Sequence, residues 1–161
     1  MNDRERHIGI LRRSIEVSKA ARAAGNTPFG ALLADAEGRI LLEQGNVEIT
    51  TGDCTGHAEA ALMAEAFKCY SKEQLRSSAL YASTEPCAMC AGAIYWGGVG
   101  TVVYALAEEK LIGLTGGDER NLTLQLPCRD VFAAGRKPVE VIGPFPELEA
   151  EAASAHAGYW R

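Results

Sequence analysis

One histidine and two cysteines stand at spacings that suit a bound ion. His57-Ala58-Glu59 precedes Pro86-Cys87-Ala88-Met89-Cys90, with 29 residues between His57 and Cys87. An imidazole and two thiolates are the soft or borderline donors that zinc prefers. Three protein ligands leave a tetrahedral ion one open corner, the condition for a catalytic rather than a structural metal. Glu59, two residues after the histidine, is the natural proton carrier for a water in that corner. A second arrangement competes. Cys54 lies three residues before His57, so Cys54, His57, Cys87 and Cys90 also fit a closed four-ligand site. The chain would then be a zinc-stapled binding module, and Glu59 would have no use. Thiol redox chemistry at Cys87 and Cys90 explains neither His57 nor Glu59.

The elements that must position these residues can be read from periodicity and punctuation. Ile8, Leu11, Ile15 and Ala21 recur at helical spacing from about Arg4 to Ala24, and Gly25-Asn26 marks the stop. Phe29–Ala34 and Arg39–Glu43 are short apolar runs joined through Gly38, which predicts a hairpin. A helix is expected from His57 to Cys69, a strand over Ala79–Ser83, and a helix opened by Thr84-Glu85-Pro86. In a first helical turn the side chains tilt back past the helix end, so His57 and Glu59 can face one ion there. Alanines and Gly92 keep both helices thin, so that their N-termini can meet. Both dipoles would then favour thiolate at Cys87 and Cys90. Thr101–Ala105 predicts a buried strand and Pro138–Ile142 a fifth. Between them short helices are expected near Glu108–Ile112 and Arg129–Ala134, in a loop region long enough to be functional. A helix over Glu147–Tyr159 closes the chain.

The 161 residues predict a single domain, 1–161, with no internal repeat or linker. The N-terminus is charged and no long apolar run follows it, so neither a signal peptide nor a membrane span is expected. Five cysteines, two of them assigned to the metal, form no even disulfide framework, which points to a reducing cytoplasm. Sixteen basic residues stand against 21 acidic ones, for a formal charge of −5. A nucleic-acid partner is disfavoured, because neutralising phosphates needs clustered Lys and Arg.

His57-Ala58-Glu59 and Pro86-Cys87-Ala88-Met89-Cys90-Ala91-Gly92-Ala93-Ile94, with a hairpin before them, resemble the cytidine deaminase-like superfamily. The likeness is to its cytosine, guanine and tRNA-adenosine deaminase branch. It runs from about Pro28 to Ala105 and is thin beyond. Strands alternating with helices after the initial hairpin predict an α/β fold, a three-layer α/β/α sandwich around a mixed five-stranded sheet. The resemblance implies Zn2+, a homodimer and a small nucleobase-like substrate. Asn46 would hydrogen-bond the base, and Phe29, His57 and Trp96 would border its faces. For Phe29 and Trp96, core packing is the competing role. Pro28-Phe29-Gly30 and Ile94-Tyr95-Trp96 look most like bacterial guanine deaminases, so guanine is expected before cytosine or a related amino-pterin or amino-triazine. Tyr159 and Trp160 close the chain, where exposed apolar bulk is unproductive, and are expected to form a lid over the substrate, with a core cap as the competing role.

Overall fold

The computed structural model describes residues 1–161. Helix α1 (Asp3–Ala23) is started by a reciprocal cap: Asn2 accepts from the Glu5 N–H, and Glu5 accepts from the Asn2 N–H. The chain then forms a hairpin, β1 (Gly30–Ala34) and β2 (Ile40–Gly45), followed by a one-turn helix α2 (Glu48–Thr51). Next come α3 (Ala58–Cys69), α4 (Lys72–Ser77), β3 (Ala79–Thr84), α5 (Ala88–Gly97) and β4 (Thr101–Leu106). The last third holds α6 (Glu108–Thr115), α7 (Cys128–Ala133), β5 (Glu140–Ile142) and α8 (Glu149–Ser154).

The sheet order is β2-β1-β3-β4-β5, with β1 antiparallel to both neighbours and β3, β4 and β5 parallel. Alternation along each inner strand divides the core in two. Ala31, Leu33, Leu80, Ala82, Val102 and Tyr104 face one layer with α3 and α5 residues. Leu32, Ala34, Tyr81, Val103 and Ala105 face the other, with residues of α1 and Leu148 and Ala152 near the C-terminus. The result is the expected three-layer sandwich on a mixed five-stranded sheet. No helix is long and apolar enough to cross a membrane.

Several elements differ from the sequence reading. The third expected helix begins at Ala88, because Thr84 still pairs with Leu106 and the Glu85 N–H donates to the Leu106 carbonyl. The short helices α2 and α4 were not anticipated. The C-terminal helix ends at Ser154 instead of running to Tyr159. Beyond it the backbone tightens into i→i+3 turns, and the buried His156 ring turns inward to accept from Trp160 Nε1 at 2.9 Å. That inward turn cannot coexist with a straight helix carrying Tyr159 on its face.

Candidate metal centre

His57 and Cys87 occupy the same place in two helices. Each is the N-cap, with extended backbone, of α3 and α5 respectively. An N-cap side chain projects from the helix end, so two adjacent helix starts aim an imidazole and a thiol at one point. Cys90, in the first turn of α5, adds a second sulfur from below and is fully buried. The donor atoms of His57, Cys87 and Cys90 all lie within 4.8 Å of one another.

These residues fit zinc. His57 Nδ1 and Cys87 Sγ are 3.5 Å apart. A zinc tetrahedron with bonds of about 2.3 Å to sulfur and about 2.0–2.1 Å to nitrogen has an edge of about 3.6 Å between them. The donors are also coupled to one another electrostatically. Cys87 is held well below the ordinary thiol range by a hydrogen bond from Cys90 and by His57, while Cys90 is pushed up by the same bond and by burial. The hydrogen bond to Cys87 drives His57 up to about 9. Behind His57, Nε2 faces the Glu48 carboxylate at 3.9 Å, a carboxylate partner of the kind that orients metal-binding imidazoles. Cys54 is exposed and does not join the donor cluster.

A cavity of about 290 Å³ opens over these ligands. Glu59 lines it and is only 5% exposed; burial pushes its carboxyl up to about 7, and the neighbouring Cys87 adds to the rise. Asn46 and Phe29 also line it. The Asn46 amide is half engaged: Nδ2 donates to Glu48 Oε1, and Oδ1 accepts from the Glu48 N–H. Trp96, by contrast, lies outside the cavity. It is 79% exposed, because it falls on the face of α5 opposite the buried Ala91 and Ile94, edge-on to Tyr95. Tyr159 and Trp160 do not line the cavity either; the segment Arg120–Leu124 takes the place expected for them. Trp160 reaches the site through two cavity residues, Phe29, with ring centroids 6.2 Å apart, and Arg120, whose guanidinium lies 5.5 Å from the indole.

Three acidic residues of the cavity wall escaped the sequence reading. Glu48 bridges Asn46, Thr27 and His57. Glu85 accepts from the backbone N–H groups of Glu108 and Cys128, and so ties the starts of α6 and α7 to the end of β3. Glu108 is buried with both carboxylate oxygens unpartnered, and burial together with the Glu85 charge raises its pKa. Only Glu85 carried a signal, its place directly before the Pro-Cys motif.

Residues 4–106 match the cytidine and deoxycytidylate deaminase zinc-binding region. The chain belongs to this deaminase family. It is 38% identical over 156 residues to a probable cytosine deaminase of Schizosaccharomyces pombe, covering 97% of this chain and 93% of that protein. With a tRNA-specific adenosine deaminase of Haemophilus influenzae it shares 35% over 101 residues, 63% of this chain and 58% of that one. Among solved structures, a guanine deaminase from Bacillus subtilis superposes with a TM-score of 0.63 at 28% identity, over 100% of this chain and 98% of that one. The protein is thus a zinc-binding deaminase, and His57, Cys87 and Cys90 are positioned to bind the metal.

Proposed function

We propose that this deaminase hydrolyses the exocyclic amine of a small free base, cytosine first and guanine as the second reading. The observation that carries the proposal is the buried Glu59 beside a three-donor zinc site in a cavity of about 290 Å³. Zinc, when bound, supplies the pull that lowers the pKa of water from 15.7 to about 7.

Glu59 handles the protons. Its carboxylate takes one from the attacking water and passes it to the ring nitrogen beside the amine-bearing carbon as the C–O bond forms. It then takes the second proton from the same oxygen and delivers it to the amine. The C–N bond breaks, its electron pair leaves on ammonia, and a carbonyl remains. A carboxyl group near pKa 7 suits both halves of this traffic at neutral pH. Asn46 keeps one N–H and one lone pair free for the base edge, and Phe29 and His57 border its faces.

Substrate size follows from the wall. Glu48, Glu59, Glu85 and Glu108 line the cavity; apart from the metal donor His57, its one basic residue is Arg120, which is itself paired with Asp118. Such a mouth repels phosphates, so a free base is favoured over a tRNA. The order of bases rests on coverage. The S. pombe relationship covers 97% of the chain, the Arg120–Leu124 wall included, whereas the tRNA deaminase match covers 63%. Guanine keeps second place through Pro28-Phe29-Gly30, Ile94-Tyr95-Trp96 and the B. subtilis superposition. Ammonia release from cytosine, guanine, adenine, their nucleosides and a tRNA anticodon stem-loop tests this. Turnover is expected with free bases; turnover confined to nucleosides or RNA would sink the proposal.

A homodimer belongs to the same proposal. Trp96, 79% exposed on the outer face of α5, is apolar bulk with no cover in one chain. Trp96→Glu is expected to convert a dimer into a monomer in sedimentation equilibrium. A cytoplasmic setting agrees with five free cysteines.

A further inference from the structure

The C-terminal segment lines no part of the cavity, yet it is bonded to a wall that does. Asp118 is buried, and its carboxylate accepts from the Arg120 N–H at 2.9 Å, Arg120 Nη2 at 2.7 Å and the Arg161 N–H at 2.8 Å. Arg120 Nη2 also donates to the Tyr159 carbonyl, and its guanidinium lies 4.3 Å from the Tyr159 ring centre and 5.5 Å from that of Trp160. Arg120 is at once a cavity residue and the seat of the tail.

The wall has little else to hold it. Its regular structure is one 3-10 turn, Glu119–Asn121. From Leu122 to Pro127 the one internal backbone bond runs from the Leu126 N–H to the Leu124 carbonyl, and Leu122 and Leu124 are 69% and 63% exposed. A segment with so few buried contacts takes its shape from its anchors. The tail, by contrast, is fastened to the body: Arg22 donates to the carbonyls of Ala155 and Ala157, and Trp160 to His156.

We propose that Asp118 and Arg120 are positioning residues that latch the Arg120–Leu124 wall of the cavity to the anchored C-terminal segment, so that the tail shapes the substrate pocket without touching the substrate. The latch rests on the deaminase assignment only for its consequence, since its existence can be read without any substrate.

The test is amide hydrogen exchange on the zinc-loaded protein, comparing Asp118→Asn, deletion of Tyr159–Arg161, and the two combined. Each single change is expected to speed exchange at the bonded amides of this stretch, Arg120, Asn121 and Leu126, by about tenfold or more, with α3 and α5 unchanged. The combination is expected to be no faster than the deletion alone, because both remove one coupling. Tyr159→Phe, which keeps the ring and the carbonyl, should hold the parent exchange rate. For whichever base is turned over, KM should rise about tenfold while kcat stays within a few-fold, the signature of a mis-set pocket rather than lost chemistry. Unchanged exchange at 120–126 on loss of the tail would overturn the latch. So would additive acceleration in the combined variant, or acceleration that spreads equally into α3 and α5.

Discussion

Glu59 and Cys54 show how far a residue's role follows from its neighbours in sequence. Both lie close to His57, yet burial separates them: Glu59 is 5% exposed beside the donors, while Cys54 is exposed at the cavity edge. Glu59→Gln keeps size and removes the base. Zinc content is expected to stay at one per chain while kcat falls by at least about 10²–10⁴-fold, the usual contribution of a general acid–base group. Metal analysis and steady-state kinetics on the same preparation check both halves. Near-parental turnover would remove Glu59 from the mechanism. The motif was legible because the metal donors and the carboxylate beside them are spaced by helix geometry. Glu48 and Glu108 were not, because they belong to other elements, α2 and α6, and carry no motif.

At the scale of elements, the site depends on how closely α1 and β1 approach beneath the cavity. Gly30 follows Phe29 and lies directly under α1. A Cβ there would stand 2.4 Å from the Ser14 carbonyl oxygen and 2.6 Å from the Ser18 nitrogen. Both are backbone atoms of a helix and cannot step aside. Gly30→Ala is therefore expected to cost about 1–3 kcal/mol and to lower Tm by several degrees in thermal unfolding. Gly92→Ala provides the contrast. Its Cβ would meet nothing within 4 Å, so, contrary to the expectation from sequence, Gly92 is not what lets α3 and α5 approach; alanine is the better helix former, and Tm should hold or rise slightly. A Gly30→Ala protein as stable as its parent would mean that α1 can slide on the sheet.

At the scale of the whole molecule, His156 contributes a pH dependence to stability. Burial pulls this imidazole down to about 4 from its ordinary 6.5, and nearby Arg22 adds to the fall. Its Nδ1 accepts from Trp160 Nε1, which requires that nitrogen to be unprotonated, and its ring packs edge-on against Phe29 at 5.3 Å. The unfolded chain takes up the proton first as pH falls. Stability from this group is therefore complete above about 6.5 and is lost progressively towards pH 4, with a slope approaching about 1.4 kcal/mol per pH unit. Glu59, raised to about 7, acts in the opposite sense, losing stability as pH rises, so the parent profile is a sum. His156→Gln retains an acceptor for Trp160 without the titration. Urea unfolding between pH 7 and 5 should give a flatter profile for this variant than for the parent; parallel profiles would remove His156 as the cause.

Local rules were enough for the metal donors, the inner strands and the long helices, though the capping box that starts α4 at Ser71 was missed. Donor spacing identified His57, Cys87 and Cys90, alternation identified the inner strands, and the α/β/α layering followed from their order. Helix starts were read to within a few residues, because caps and prolines act on their immediate neighbours. Contacts across the fold decided the rest. Trp96 faces away from the cavity because α5 turns Ala91 and Ile94 to the core. The last helix stops at Ser154 because His156 finds its partners in Phe29 and Trp160. The wall expected of Tyr159 and Trp160 is instead Arg120–Leu124, held by a carboxylate 41 residues before Tyr159 in the chain. None of these pairings leaves a period or a motif, since each is a meeting of side chains that only the folded backbone brings within reach.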